Sequence, residues 1–336
     1  MNILKFTRHA EWYEPKLLPL LGLGYLVIYL NHLPIKASFI ELLFLMGSIA
    51  VGAVYVSVIN DVCDVKEDKA SGKPNSMQSL SSPQIALILA AIVAVGIACG
   101  YFIYPDTLSL VFYSMSWIVF SLYSIYPFRF KERGVLGVLC DASGAHLFPS
   151  LFIISGLIHK AGQAIDLQWI IVAGIWAFFY GLRGILWHQF HDRDNDIVAN
   201  LNTFARRFEP NRFILAERLI LTVELVCFAW MICPILNVWI ILAILVYIVL
   251  MFLKKMKWHI QPIIILERKD KQFSIIMHDF YLALFPLVIL LDIALHTPNG
   301  WLLPCLHLLV FPRPVYRVAK DFFRLVVRTP HNRTIL

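Results

Sequence analysis

The sequence predicts an all-α, polytopic membrane bundle of about nine transmembrane helices around a central cavity. Three observations lead there. Of 336 residues, 59% are hydrophobic and only 15% are charged, whereas a soluble chain carries roughly a quarter charged residues. The apolar residues come in long runs, several exceeding the ~18–20 residues that a helix needs to cross a bilayer. In lipid the backbone must be hydrogen-bonded within its own segment or in a closed barrel, and runs this long and uniformly apolar select helices.

The elements follow in order. Residues 1–16 mix basic, acidic and aromatic side chains, which predicts a cytoplasmic N-terminal segment rather than a cleavable signal peptide. Nine spans come next, at 17–35, 38–60, 83–104, 106–126, 136–158, 167–190, 213–233, 235–253 and 274–295, so that 17–295 forms one transmembrane domain. The intervening segments fall into two classes. The N-terminus and residues 61–82, 127–134, 191–212 and 254–273 hold 3, 3, 3, 4 and 6 Lys+Arg, 19 together. The opposite set, 31–37, 105–106, 159–166 and 234, holds only Lys36 and Lys160. Basic residues concentrate on the cytoplasmic side, which places the N-terminus and the long loops inside. The net charge of +7 is therefore topological asymmetry, and it gives no reason to expect nucleic acid as a partner.

Residues 296–336 form a short hydrophobic segment and a basic tail. After nine spans the chain is outside, yet Arg313, Arg317, Lys320, Arg324, Arg328 and Arg333 follow. The run Trp301–Phe311 is short for a full crossing. The favoured reading is a tenth, partly re-entrant segment that returns the tail to the cytoplasm; the other is a basic amphipathic surface helix. Cys63, Cys99, Cys140, Cys227, Cys233 and Cys305 are scattered, mostly inside apolar spans. They read as small hydrophobes of the bundle rather than a disulfide framework or zinc site.

Chemistry concentrates in two loops of the basic side. The second span runs into Asn60-Asp61-Val62-Cys63-Asp64-Val65-Lys66-Glu67-Asp68. At about 100° per residue, and with Asp61 as zero, Asp64 lies near about −60°, Asp68 near about −20° and Asn60 near about −100°. Four oxygen-bearing side chains thus share one helix face. Carboxylates this close repel unless a cation sits between them, and hard oxygen ligands suit Mg²⁺, which also takes waters and substrate phosphate oxygens. The sixth span ends in Trp187-His188-Gln189-Phe190-His191-Asp192-Arg193-Asp194-Asn195-Asp196. By the same arithmetic Asp192, Asp196 and His188 form one stripe, with Asp194 on the far side. One such cluster reads almost as well as a solvated helix end; two at matching depth on one side favour a site.

With these residues in view, the chain resembles the UbiA-type intramembrane prenyltransferase superfamily. The resemblance rests on Asn60-Asp-x-x-Asp64-x-x-x-Asp68 with its loop, on Tyr123-Ser-Ile-Tyr126-Pro127-Phe-Arg129-Phe-Lys131, and on Asp192-x-x-x-Asp196, in that order. It covers about residues 15–295. It implies nine helices around a cavity that is capped on the cytoplasmic side and opens laterally to lipid. It further implies a Mg²⁺-dependent transfer of an isoprenyl group from a prenyl diphosphate to a hydrophobic acceptor, the membrane lipids accommodating the chains. Two ions are expected, one on Asn60, Asp64, Asp68 and Asp61, the other on Asp192 and Asp196. Asp64, Asp68, Asp192 and Asp196 would carry catalysis, and Lys73, Arg129 and Lys131, with Arg206 a weaker candidate, would hold the diphosphate. The pattern departs from the family at His188, at Lys73-Pro74-Asn75 and at Asn202, which bears on the acceptor rather than on ionisation.

Further candidates are polar groups within or beside spans, where they are functional by default. Tyr123 and Tyr126 would shield the allylic cation. Arg183, about two and a half turns before Asp192, would face the cavity. Asp141, His146, His188 and His191 are candidates to orient or deprotonate an acceptor, each equally readable as a polar group satisfied by neighbouring helices; Glu224 reads as structural. Two other functions share parts of this pattern. A membrane terpene cyclase would use the same ionisation without an acceptor. A cation-coupled transporter would need broken helices with acids near the bilayer midplane, whereas these acids sit at helix ends. A phosphoalcohol transferase is disfavoured because the chain has no Asp-Gly pair.

Overall fold

The computed structural model describes residues 7–72, 74–198, 202–267 and 271–327. Each of the nine expected spans is a helix: α1 (Leu17–Leu30), α2 (Ile35–Ser71), α3 (Ser82–Ile103), α4 (Thr107–Ser124), α5 (Val135–Lys160), α6 (Leu167–His191), α8 (Pro210–Ile232), α9 (Val238–Trp258) and α10 (Phe280–His296), with a short α7 (Arg193–Val198) after α6. Seven of them are long and apolar enough to cross a membrane; α1 and α10 are shorter apolar helices. The short α1 forms the centre of the bundle. Leu17 to Ile28 are all buried, and they pack with α5, α10 and α2. By contrast α3 is peripheral, exposing Leu87, Ile97 and Phe102. An apolar outer face is what a lipid solvent requires.

Local chemistry accounts for the details. The second helix does not stop at residue 60 but runs on to Ser71, because Lys66, Glu67, Lys69 and Ala70 are good helix formers. Gly72 then ends it at φ 71, a left-handed conformation that glycine adopts without steric cost. The acidic motif therefore rides on helix well beyond the apolar run. In α5 and α10 the ladder widens to a π turn, at Ser143–Leu147 and Phe280–Leu284, shortly before Pro149 and Pro286. Proline removes a donor and crowds the preceding turn, and a wider turn relieves both. The all-α reading misses two three-residue strands, β1 (Gln261–Ile263) and β2 (Phe273–Ile275), paired in parallel. Three residues show no periodicity, and their pairing is not local in sequence.

The C-terminal region is two helices. Leu302–Val310 forms a nine-residue helix α11, and Pro312–Val327 an amphipathic α12. At the end of α11 the Val310 carbonyl accepts a hydrogen bond from the Tyr13 hydroxyl at 2.6 Å, so α11 brings the chain back to the side bearing the acidic motifs. There α12 is held by Arg317–Asp279 at 3.4 Å, by Lys254–Asp321 at 3.0 Å and by Lys257 Nζ donating to the Leu325 carbonyl at 2.6 Å. Tyr316, Phe322 and Phe323 remain exposed on it. Arg328 and Arg333 lie outside the described residues.

Candidate active site

The two acidic helix ends line one cavity of about 1090 Å³. The end of α2 supplies Asn60, Asp64, Glu67 and Asp68; the end of α6, with α7, supplies His188, Asp192 and Asp196. Between α4 and α5 the chain adds Arg129 and Lys131. The interior beyond is aromatic, with Tyr113, Trp117, Phe120, Tyr123 and Phe152 among its walls.

The first wall sets two cations, Arg129 and Lys131, among four carboxylates, Asp64, Glu67, Asp68 and Glu132. Lys131 Nζ donates to Asn60 Oδ1 at 3.0 Å and to Asp64 Oδ1 at 2.5 Å. The Arg129 guanidinium, 3% exposed, sits 3.1 Å from Asp64 and pairs with Glu67 and with Glu132. Burial alone would lower the Arg129 pKa, but Glu132, Asp64 and Glu67 more than compensate and hold it above its usual value. The group stays cationic. Arg129 takes φ 37, a left-handed conformation costing ~1–2 kcal/mol that these ion pairs offset. Asn75 secures the loop after α2, donating to Asp68 Oδ2 and to the Asp61 carbonyl, each at 2.8 Å. At the second wall, Thr203 Oγ1 donates to Asp196 Oδ2 at 2.9 Å, and Gln189 Oε1 accepts from the Phe204 amide at 3.0 Å. Those two bonds fold residues 202–208 back against α6. Glu67, Glu132, Gln189 and Thr203 were not assigned a role from sequence, since their partners are set by how the loops fold back on the helix ends.

The structure gathers Asn60, Asp64, Asp68, Tyr123, Arg129, Lys131, Asp141, His188, Asp192 and Asp196 around the cavity. It does not gather all that were expected there. Asp61 is outside the lining; it is 5% exposed and its Oδ1 lies 3.2 Å from Arg8. Asp61 shares the helix face of Asp68, about 20° away, but its pairing with Arg8 takes it out of the lining. Arg183 does not face the cavity. Its guanidinium pairs with Glu224 through two bonds of 2.6 and 2.7 Å, deep between α6 and α8. Tyr126 is 61% exposed on the outer surface, beneath the Arg129 guanidinium and within 3.4 Å of Glu67. His146 is buried edge-on against Tyr180, and His191 pairs with Glu267 at 2.9 Å. Arg206 sits in the turn Ala205–Arg207 and outside the lining. Lys73 lies outside the described residues.

Residues 7–16, expected only as a cytoplasmic N-terminal segment, form a further wall. Arg8, Glu11, Trp12 and Lys16 all line the cavity. The segment is tied down by Arg8–Asp61, by Lys16–Asp141 at 4.0 Å and by Tyr13, whose ring lies 4.8 Å from that of Phe311. Its mixed charges and paired aromatics were the available signal.

Among the described residues no three His, Cys, Asp or Glu side chains are already gathered as a metal site. Asp64 is instead neutralised by Lys131 and Arg129. The donor set nevertheless fits Mg²⁺. It offers hard carboxylate and amide oxygens on two facing walls, leaving the remaining positions to water and phosphate oxygens, as Mg²⁺ prefers.

One glycine sets how closely the cationic loop approaches. A Cβ at Gly137, on the first turn of α5, would lie 2.8 Å from the Phe130 carbonyl oxygen and 3.0 Å from Lys131 Cα. Gly137→Ala must therefore push back the backbone that aims Lys131. We expect a loss of stability of about 1–3 kcal/mol, because the clash falls on backbone rather than on a movable side chain, measured as thermal unfolding in detergent.

Comparison with known proteins agrees with this geometry. The sequence matches the UbiA prenyltransferase family over residues 17–263. A UbiA homologue from Archaeoglobus fulgidus solved with GPP and Mg²⁺ superposes with a TM-score of 0.59 at 18% identity, covering 89% of this chain and 98% of that one. The same homologue with DMAPP and Mg²⁺ gives 0.59 at 17% identity, over 90% and 99%. A digeranylgeranylglyceryl phosphate synthase structure gives 0.54 at 13% identity, over 94% and 97%. No curated protein sequence matches the chain.

Proposed function

The chain belongs to the UbiA prenyltransferase family, and from that premise we propose a Mg²⁺-dependent integral membrane enzyme with its active site on the cytoplasmic side. It transfers an isoprenyl group from a prenyl diphosphate to a lipid-soluble acceptor and releases pyrophosphate. One observation carries this reading. Two acidic helix ends, two cationic side chains and an aromatic interior line a single cavity. The structural relatives solved with GPP or DMAPP and Mg²⁺ support the substrate class. The cytoplasmic placement is supported by the excess of Lys and Arg in the loops that frame the cavity.

Asn60, Asp64 and Asp68 would hold one Mg²⁺, and Asp192 with Asp196 a second. Mg²⁺ bound there neutralises charge on the leaving pyrophosphate, a contribution of several kcal/mol. Lys131 and Arg129 bind phosphate oxygens, and Asp64 and Glu67 keep both cations in place before substrate arrives. Tyr123, Trp117 and Phe120 exclude water and present ring faces to the allylic cation, each worth ~1–2 kcal/mol when desolvated. The bond from C1 to the diphosphate oxygen breaks, a bond from C1 to the acceptor forms, and the acceptor's displaced proton leaves. The isoprenoid tail needs no dedicated motif, because apolar helix faces and lipid accept it.

The test is purified protein incubated with geranyl diphosphate, Mg²⁺ and membrane extract, read by mass spectrometry. The expected result is a compound heavier by one geranyl group, and its loss when Mg²⁺ is chelated. A cyclised hydrocarbon formed without extract, or pyrophosphate release indifferent to Mg²⁺, would overturn the transferase.

A further inference from the structure

A further ion pair lines the cavity, one member of it from chain outside the region that matches the family. Lys16 closes the N-terminal segment immediately before that region, and its ammonium lies 4.0 Å from Asp141 Oδ2 on α5. The two side chains are 33% and 15% exposed, and both line the cavity. A separation of 4.0 Å is an ion pair but not a hydrogen bond. An ammonium has donors only and a carboxylate has acceptors only, whereas a hydroxyl both accepts and donates. A hydroxyl placed between them therefore accepts from Lys16 and donates to Asp141, completing two charge-assisted bonds.

The surrounding charges decide what sort of head this pair admits. Glu11 also lines the cavity beside Lys16, and Arg8 is already engaged by Glu11 at 2.8 Å and by Asp61 at 3.2 Å. His188 lies within electrostatic reach of Lys16 and Asp141. Two cations, Arg8 and Lys16, stand there among three carboxylates, Glu11, Asp61 and Asp141, so a carboxylate or phosphate head would add a fourth negative charge. A hydrocarbon head would leave the Lys16–Asp141 pair desolvated with no new partner, which is costly. We infer that Lys16 and Asp141 form the recognition pair for the acceptor, and that the acceptor class is a lipid-soluble compound with an uncharged hydroxyl head.

The segment that places Lys16 is itself held from across the molecule. Tyr13 bonds the Val310 carbonyl at 2.6 Å and packs on Phe311, beyond the C-terminal limit of the family match. Both chain ends thus cooperate to set one wall of the acceptor chamber. This inference rests on the cavity being the reaction chamber proposed above.

Its test separates the two readings. Three probes with equal tails and different heads are titrated into detergent-solubilised protein: 4-hexylphenol, 4-hexylbenzoate and 4-hexyltoluene. Binding is followed through tryptophan fluorescence, since Trp12, Trp117 and Trp187 line the cavity. The phenol should bind about tenfold more tightly than either other probe, the difference that hydrogen bonds to charged partners ordinarily make. Lys16→Met and Asp141→Asn should each remove that preference. The exchanged double variant Lys16→Asp with Asp141→Lys should restore it, which a loss through misfolding could not do. Equal binding of all three probes, tighter binding of the benzoate, or a preference that survives both single variants would overturn the pair. Magnesium-dependent gain of one geranyl group by a compound in membrane extract, measured on the same wild-type preparation with geranyl diphosphate and without any probe, reports on the prenyltransferase reading alone.

Discussion

Asp64→Asn is expected to lower magnesium-dependent pyrophosphate release by about a thousandfold or more, since several kcal/mol of metal-borne stabilisation of the leaving group depend on that carboxylate. Asp64 is the one side chain where the two chemistries of the first wall meet. It accepts from Lys131 at 2.5 Å and lies 3.1 Å from Arg129. Asparagine keeps the shape and an amide oxygen but removes the charge that both cations answer. The variant should thus lose metal affinity and also let Lys131 and Arg129 repel one another. Stability should change little, because the carboxylate lines a cavity rather than a packed core. Asp61→Asn supplies the internal control. It is one of the same acidic group in sequence, yet it pairs with Arg8 and is not among the lining residues. Its loss should cost release no more than about tenfold, the scale of one charge-assisted hydrogen bond. The measurement is a Mg²⁺ titration of pyrophosphate release for both variants beside thermal unfolding. Equal losses at the two positions would refute the placement of the metal face.

How much of this was legible in the sequence follows from the range of the interactions involved. The nine helices were, because each is a contiguous apolar run whose solvent demands helix. So was the placement of Asn60, Asp64, Asp68, Asp192 and Asp196 on shared helix faces, since a stripe on one helix is local geometry that periodicity exposes. Arg129 and Lys131 were reachable through the motif that follows α4. What lay beyond reach depended on the rotation of one helix against another. Asp61 differs from Asp64 by less than a turn, and only packing determined which one meets Arg8. The position of residues 7–16 depends on a segment far along the chain, and composition holds no record of such pairing; the strands of the small sheet are too short to show a period.

Arg183 was the most informative error, and it leads to the second large effect. An arginine inside a span suggests a ligand, but here it is 2% exposed and its partner Glu224 is 0% exposed. Two bonds of 2.6 and 2.7 Å join the groups side by side, and Arg183 Nη1 also donates to the Ile276 carbonyl at 2.8 Å. The pair fastens α6 to α8 and to the segment leading into α10. Removing one member leaves a carboxylate with neither water nor a counter-ion, so Arg183→Ala should destabilise the protein by ~3–5 kcal/mol. In detergent this would lower the unfolding midpoint by on the order of 10 °C. The double variant Arg183→Met with Glu224→Leu removes both charges and keeps the volume, and it should recover stability to within about 1 kcal/mol of the parent. It should also retain magnesium-dependent pyrophosphate release, because neither side chain lines the cavity. Had Arg183 held the diphosphate, the pattern would reverse: normal unfolding for Arg183→Ala, and no turnover in either variant. Unfolding curves and release rates for the two variants, measured on the same preparations, therefore distinguish a fastening between helices from a substrate contact.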